Sequence, residues 1–415
     1  MDKSSVEKKQ IKTIKIVELF AGVGGFRLGF ERTSDIFQTV WANQWEPGRN
    51  KQWAFDCYQN HFGNSSNHIN KDISTVIDDV PNHDFLVGGF PCQDYSVART
   101  NASGIEGKKG VLWWSIRDII VKKNPNYILL ENVDRLIKSP AKQIGRDFGI
   151  ILRSLNDASY NVEWRIINAA DYGFVQRRRR IFIFAFKKEL TQQIYKTGNQ
   201  FDILLRVGFY SQAFPVEKTE NLKATTVTTI LNGYNDLVDV SNDFTAKFYN
   251  SGSMIDGQIL SMQLQPISVP SQTLIDIVEQ NGVDEKYFIN GSFDKFGIMK
   301  GNKRIRRINP EGEIYLYSEG AMAFPDPIDK PARTMLTSEG SLNRSTHVII
   351  DPKLNRPRLL TPLECERING FDDNWTDTGM PHKFRYFCMG NALVVPIIEI
   401  IAKRFIEVWG RANDN

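Results

Sequence analysis

The apolar run Phe85-Leu86-Val87 leads into Gly88-Gly89-Phe90-Pro91-Cys92-Gln93. A run that short, ending in paired glycines, reads as a buried strand opening into a loop. A cysteine directly after a proline is held stiffly at the strand's carboxyl end, the edge where open α/β sheets bind ligands. Its chemistry there would be that of a thiolate nucleophile, provided its surroundings lower a pKa of roughly 8.5. A buried packing cysteine is the plainer alternative. A second apolar run, Tyr127-Ile128-Leu129-Leu130, closes on Glu131-Asn132-Val133. An acid at the end of a buried strand is partly desolvated, which raises its pKa and suits it to proton donation. A carboxylate that caps a neighbouring turn is the competing reading. The basic run Arg177 to Arg180 and the cluster Lys300, Lys303, Arg304, Arg306 and Arg307 could each bind phosphate or form a solvated face.

The elements around these residues must bring them to one edge. Ile14 to Leu19 reads as the first buried strand, opening into Phe20-Ala21-Gly22-Val23-Gly24-Gly25-Phe26 and an amphipathic stretch from Arg27 to Arg32. Strand, glycine turn and helix begin a doubly wound nucleotide-binding unit. Arg27 stands where GxGxxG would place its third glycine, and no GK[ST] follows, so a pyrophosphate site is disfavoured. A cofactor with an adenosine part but no pyrophosphate would still need the close approach that Gly22, Gly24 and Gly25 allow. Thr39 to Ala42 reads as a second strand ending in Asn43-Gln44-Trp45-Glu46, where a polar residue commonly takes ribose hydroxyls. Trp45 could cover an adenine or pack in the core. A helix is expected from Asn50 to Phe62, then Asp72-Ile73 in a loop returning to the same edge. Gly104, Gly107 and Gly110, with Lys108 and Lys109, have the look of a lid. Helices are expected over Leu112 to Lys122 and Phe148 to Asn156, and strands over Val162 to Asn168 and Ile181 to Phe186. This alternation predicts an α/β domain with a doubly wound, Rossmann-like, mostly parallel sheet.

After Lys187 the pattern turns irregular and rich in Thr, Asn, Ser and Gly. The expected division is a cofactor-binding and catalytic domain over 1–187, a smaller irregular domain with its hinge over 188–380, and a returning segment over 381–415. Pro362 to Ile368 suits a helix with Pro362 in its first turn. Met389-Gly390-Asn391-Ala392-Leu393-Val394-Val395-Pro396 is expected to open a terminal helix to about Val408 that packs on the first domain.

Composition excludes more than it selects. The chain has 415 residues, 41% hydrophobic and 24% charged, with a net charge of +4. These values describe an ordinary globular protein, and any nucleic-acid binding must come from clustered rather than total charge. Cys57, Cys92, Cys365 and Cys388 form no CxxC pair, which argues against structural zinc and a disulfide framework and fits a reducing, intracellular setting. Met1 to Lys15 is polar and lacks the apolar core of a signal peptide, and no apolar stretch approaches a membrane span. The five histidines show no ligand spacing, so no metal is expected.

Taken in order, these blocks resemble the DNA (cytosine-5) methyltransferase family, in particular single-chain methyltransferases of bacterial type II restriction-modification systems. The likeness runs from Ile16 to about Phe186 and from about Pro331 to Ala402. It rests on Phe20 to Gly25, Gly89-Phe90-Pro91-Cys92-Gln93, Glu131-Asn132-Val133, Gln176 with Arg178 and Arg180, Arg358 to Gly370, and Gly390-Asn391. The resemblance implies S-adenosylmethionine as cofactor, S-adenosylhomocysteine as product, and no metal. The residues it assigns to the cofactor are Phe20, Ala21, Gly22, Gly24, Gly25, Gln44, Trp45, Glu46, Asp72, Ile73, Pro91, Leu112, Asn391 and Ala392. In the family an acid usually stands at the position of Gln44; here the acid is Glu46, so Gln44, Glu46 or both would hold the ribose.

The resemblance also implies a mechanism. Cys92 adds to C6 of cytosine, Glu131 bonds N3 and the exocyclic amine, and Arg178 with Arg180 hold O2. The base would be flipped out of the duplex. Gln93, Ser96, Lys108 and Lys109 would meet DNA from the lid, and the region from Lys188 to about Asp329 would be the target-recognition domain. Arg304, Arg306 and Arg307 would contact backbone phosphate. Double-stranded DNA is the expected partner of a cytoplasmic, nucleoid-associated monomer, with a companion restriction endonuclease acting on the same site. The Asn43-to-Pro47 segment and the Arg177-to-Arg180 run resemble enzymes that modify GATC. A transfer-RNA methyltransferase, a silent DNA-binding protein on the same scaffold and a small-molecule methyltransferase are the rivals. The long variable region and the intact Cys92, Glu131 and arginines weigh against them.

Overall fold

In a computed structural model of the chain, the described residues are 12–90, 112–196, 199–217, 226–308 and 312–413. Pro91, Cys92, Gln93, Ser96, Lys108 and Lys109 therefore lie outside them. The strands of the main sheet are β1 (Ile14–Leu19), β2 (Phe37–Asn43), β3 (His68–Ile69), β4 (Phe85–Gly89), β5 (Tyr127–Val133), β6 (Tyr160–Asn168), β7 (Arg179–Lys187), β8 (Thr226–Ile230), β9 (Ser251–Ile255) and β10 (Gln258–Met262). Their order is β3-β2-β1-β4-β5-β7-β6-β9-β10-β8. From β3 to β5 every pairing is parallel. From β5 outward through β7, β6, β9, β10 and β8 the pairings are antiparallel.

Alternation along each strand feeds two cores. In β4, Phe85 joins the layer under helix α1 (Gly25–Thr33) and the terminal helix Val395–Asn413, while Leu86 joins the layer under α3 (Leu112–Lys123) and α4 (Arg146–Asp157). Helix α2 (Trp53–Phe62) follows β2. The terminal helix packs on the sheet through Phe405, whose ring lies 4.2 Å from that of Phe85 and 4.9 Å from that of Tyr127. No helix among the described residues is long and apolar enough to cross a membrane.

The sheet does not stop at residue 187, where the second domain was expected to begin. Residues of β8, β9 and β10 extend it, with β9 paired to β6. The sequence Ser-Gly-Ser-Met-Ile of β9 carries no β-branched run to announce a strand, because small residues are what fit there. A Cβ built on Gly252 would lie 2.0 Å from Cζ2 of Trp164 on β6. Beyond the sheet, β11 (Lys303–Ile308) and β12 (Ile314–Glu319) form a separate antiparallel hairpin, and β13 (Val348–Ile350) pairs with β14 (Pro357–Leu359).

Helix Pro362–Ile368 starts where expected, with the Thr361 and Glu364 side chains each bonding the other's backbone N–H. The terminal helix does not. Met389 to Asn391 end the helix His382–Asn391, the helical conformation is interrupted at Ala392 to Val394, and the last helix begins at Val395 and runs to Asn413. Pro396 explains the new start, since proline fits a first helical turn and not the interior.

Candidate active site

The carboxyl ends of β1, β2, β4 and β5 and the adjoining start of β7 meet around a cavity of about 370 Å³. Phe20, Ala21, Gly22 and Gly25 line it from the turn after β1; Gln44 and Glu46 from just beyond β2; Gly89 from the end of β4 and Phe90 just after it; Glu131 from β5; Arg180 from β7; Asn391 from the end of helix His382–Asn391 and Ala392 from the break that follows.

The glycine turn is held by its backbone. Phe20, Gly22 and Gly24 have φ of 55°, 56° and 90°. At Gly24 a Cβ would come within 2.2 Å of the Phe62 ring, whereas at Gly22 a built Cβ meets nothing within 4 Å. The N–H of Gly22 donates to Oε1 of Gln44 at 2.7 Å, tying the turn to the end of β2. Glu46 is half-buried; burial pushes its carboxyl pKa up, and the Arg49 guanidinium, 3.5 Å away, pulls it back. Arg49, which sequence reading missed, lies over the rings of Phe384 and Phe387 at 4.7 and 5.2 Å. Its signal was its place three residues beyond Glu46. Phe387 and Cys388 also line the cavity and were not expected there.

Glu131 carries the other end of the cavity. Gly89 pairs with it across the β4–β5 ladder, and a Cβ on Gly89 would sit 3.0 Å from Oε2 of Glu131. Arg180 Nε lies 2.9 Å from Glu131 Oε1, in a pair whose side chains are 17% and 13% exposed. Burial raises the Glu131 pKa, and the guanidiniums of Arg180 and Arg178 counter it. Asn132 fixes the adjoining backbone by donating from Nδ2 to the Phe90 carbonyl at 2.7 Å.

Arg178 does not line this cavity. The strand begins only at Arg179, and the fully buried Arg178 guanidinium donates to the carbonyls of Met335 (3.0 Å) and Gly390 (2.9 Å). Burial, with Arg180 nearby, lowers its pKa to about 9. Gln176 acts beside it, accepting from Met335 N and donating to Asn369 Oδ1. These two side chains clamp the C-terminal segments onto the sheet edge.

Gly24, Trp45, Asp72, Ile73 and Leu112 lie off the cavity wall as well. Ile73 is 2% exposed in the apolar core, and Asp72 caps the turn Ile73–Thr75, accepting from Ser74 N at 3.0 Å. Trp45 and Leu112 are half-buried. Arg304, Arg306 and Arg307 are exposed on β11, with Arg307 stacked 3.7 Å over the Tyr317 ring. Lys300, grouped with them in the sequence, is buried instead and pairs with Asp326 at 2.7 Å. Cys57, Cys365 and Cys388 are buried, as packing residues are, and burial pushes the Cys57 thiol up to about 12.

A family model described as C-5 cytosine-specific DNA methylase matches residues 14–407. The chain is 51% identical over 410 residues to the Type II methyltransferase M.Sau3AI of Staphylococcus aureus, covering 97% of each chain. It is 27% identical over 413 residues to the Type II methyltransferase M1.ScrFI of Lactococcus lactis subsp. cremoris, covering 98% of this chain and 82% of that one. A solved DNMT2 variant from Spodoptera frugiperda shares the fold, with a TM-score of 0.58 at 15% identity over 96% of this chain and 100% of that one. With the family matched along nearly its whole length, the chain belongs to the C-5 cytosine-specific DNA methylase family and is a DNA (cytosine-5) methyltransferase of the type II restriction-modification kind.

Proposed function

We propose that the enzyme methylates C5 of a cytosine flipped out of duplex DNA, using S-adenosylmethionine, within a short sequence for which GATC is the candidate. The observation that carries this reading is a cavity with a glycine turn at one end and the half-buried Glu131–Arg180 pair at the other. The turn fits the cofactor: the space above Gly22 is open, and Gln44 and Glu46 supply polar groups beside it. When bound, S-adenosylmethionine supplies an electrophilic methyl group. GATC rests on the likeness of the Asn43-to-Pro47 segment and the Arg177-to-Arg180 run to enzymes that modify it.

Cytosine C5 is too weak a nucleophile until a thiolate adds at C6, and Cys92 is assigned that addition from its Pro-Cys-Gln context. In this reading Glu131 bonds N3 and the exocyclic amine, drawing charge off the ring as the thiolate adds. Burial raises its pKa, which makes it a better proton donor toward N3 than a free carboxyl, while Arg180 and Arg178 pull the other way. Arg180 keeps that carboxyl in place and offers its remaining N–H groups to O2. Arg178 is a positioning residue, holding the segments of Met335 and Gly390. Loss of the C5 proton and elimination of Cys92 complete the reaction. Extruding the base costs a few kcal/mol, which protein contacts must offset.

Transfer of a labelled methyl group to duplex DNA against bulk transfer RNA tests this reading. Bisulfite sequencing of DNA from expressing cells would then give base and context. Label in transfer RNA alone would overturn it; methylated cytosine outside GATC would overturn only the target. DNA so modified should resist a type II endonuclease of the same specificity.

A further inference from the structure

Among the large apolar side chains left exposed, five stand on one hairpin: Ile305, Ile308, Ile314, Tyr315 and Leu316. That hairpin, β11–β12, pairs with no other strand among the described residues, and a lone two-stranded ribbon is marginal in water. Its two faces differ. Cross-strand partners share a face, so Lys303, Ile305, Arg307, Tyr317 and Glu319 stand on one side. They line a cleft whose far wall includes Leu336, Ser338 and Arg344. Arg304, Arg306, Ile308, Ile314, Leu316 and Ser318 stand on the other side, exposed throughout and without a carboxylate among them. Cations beside a ridge of apolar side chains suit duplex DNA: phosphate for the arginines, base edges and thymine methyl groups for the ridge. A two-stranded ribbon also has the width that the major groove admits.

Arg344 mounts this hairpin. Its guanidinium donates to the carbonyls of Met299 at 3.0 Å and Gly301 at 2.8 Å, before β11, and to that of Gly320, after β12. It also pairs with Glu319 at 3.3 Å. One side chain thus grips both feet of the hairpin. Arg344 belongs to the segment that leaves Met335, whose carbonyl Arg178 holds together with that of Gly390. A Cβ built on Gly390 would lie 2.4 Å from Leu336 C and from Thr337 N, so this segment rests directly on a residue of the cavity wall. Buried Glu339 stiffens it, accepting from His347 N at 2.7 Å and bonding His347 Nδ1 at 2.9 Å.

We propose that Arg344 is a positioning residue that fixes the β11–β12 hairpin at a set offset from the cavity, so that a duplex lying on the hairpin's outer face presents one cytosine to Glu131 and Arg180. The assignment rests on the reading of the cavity as the site of DNA methylation.

The test compares kcat/KM on the duplex target with kcat/KM on duplexes altered at one base pair. It uses the full chain, Arg344→Ala, Arg344→Lys, and Ile314→Ala combined with Leu316→Ala. The unaltered protein should reject each altered duplex by about 5- to 150-fold. Every variant should lose at least about 5-fold of that rejection at one or more base pairs. Arg344→Lys is included because a single ammonium keeps the charge but cannot span both feet. Calorimetric binding of S-adenosylhomocysteine should be the same in all, since none of these residues lines the cavity. Full rejection by any of the variants would overturn the assignment. So would S-adenosylhomocysteine binding that falls with Arg344→Ala, which would make the residue a general support of the fold. A hairpin variant that turns a dimer into a monomer in sedimentation, with rejection intact, would give the outer face to a second copy of the chain. No methylation of any duplex by the unaltered protein would instead overturn the reading of the cavity, and the assignment with it.

Discussion

Replacing Glu18 by glutamine isolates a charge that the fold holds at a cost. Glu18 lies on β1 with no exposed surface, its Oε2 accepting from the Tyr58 hydroxyl at 3.0 Å. Burial pushes the carboxyl from 4.5 to about 7, against the opposing pull of Arg27 and Tyr58. Because the folded pKa is raised, the folded state holds the proton more tightly than the unfolded chain. The associated stability is complete below pH 4.5, falls as pH rises, and is gone above about 7. At 1.36 kcal/mol per unit, the shift amounts to roughly 3 kcal/mol. Glutamine mimics the protonated acid and escapes this loss. Urea unfolding of both proteins from pH 5 to pH 8.5 should show the variant gaining on the parent by roughly 2.5 kcal/mol across the series, since a little of the effect is already lost at pH 5. Any new cost from the glutamine amide is the same at every pH and cancels in that slope. A difference that stays constant, or that moves toward the parent as pH rises, would refute the reasoning.

Three other outcomes follow from particular contacts. Gly252→Ala should destabilise the protein by about 3 kcal/mol, read as a lowered thermal midpoint, because its Cβ would meet the Trp164 ring at 2.0 Å. Iodoacetamide at pH 8 should leave Cys57, Cys365 and Cys388 unlabelled in the native protein, since burial raises all three thiols; peptide mapping that finds rapid label on any of them contradicts this. Arg304→Ala combined with Arg306→Ala should weaken DNA binding and reduce the slope of log affinity against log salt by about one unit per arginine, with the methylated sequence unchanged.

Much of the scaffold was legible because its signals are local. Ile14–Leu19 is a strand as read, a β-branched run buried almost throughout, and Pro362–Ile368 is a helix as read, with proline in its first turn. What the sequence hid depends on distant partners. Nothing in Ser251–Ile255 announces a sheet strand until Trp164 is seen lying against Gly252. Arg178 and Arg180 share a spacing that would face them one way on a strand, but the strand starts at Arg179 and Arg178 is drawn to the Met335 and Gly390 carbonyls. Lys300 looks like its basic neighbours, and only Asp326, far along the chain, turns it inward.

The central claim, a thiolate adding to cytosine in the pocket of Glu131, has a direct chemical test. A duplex with 5-fluorocytosine at the target position offers no proton for the last step, so elimination cannot follow methyl transfer. Incubated with enzyme and S-adenosylmethionine, it should give a denaturant-stable protein–DNA adduct that mass spectrometry maps to Cys92. Glu131→Gln should form that adduct at least about 100-fold more slowly. An adduct on any other residue, or none while unmodified DNA is methylated normally, would contradict the account.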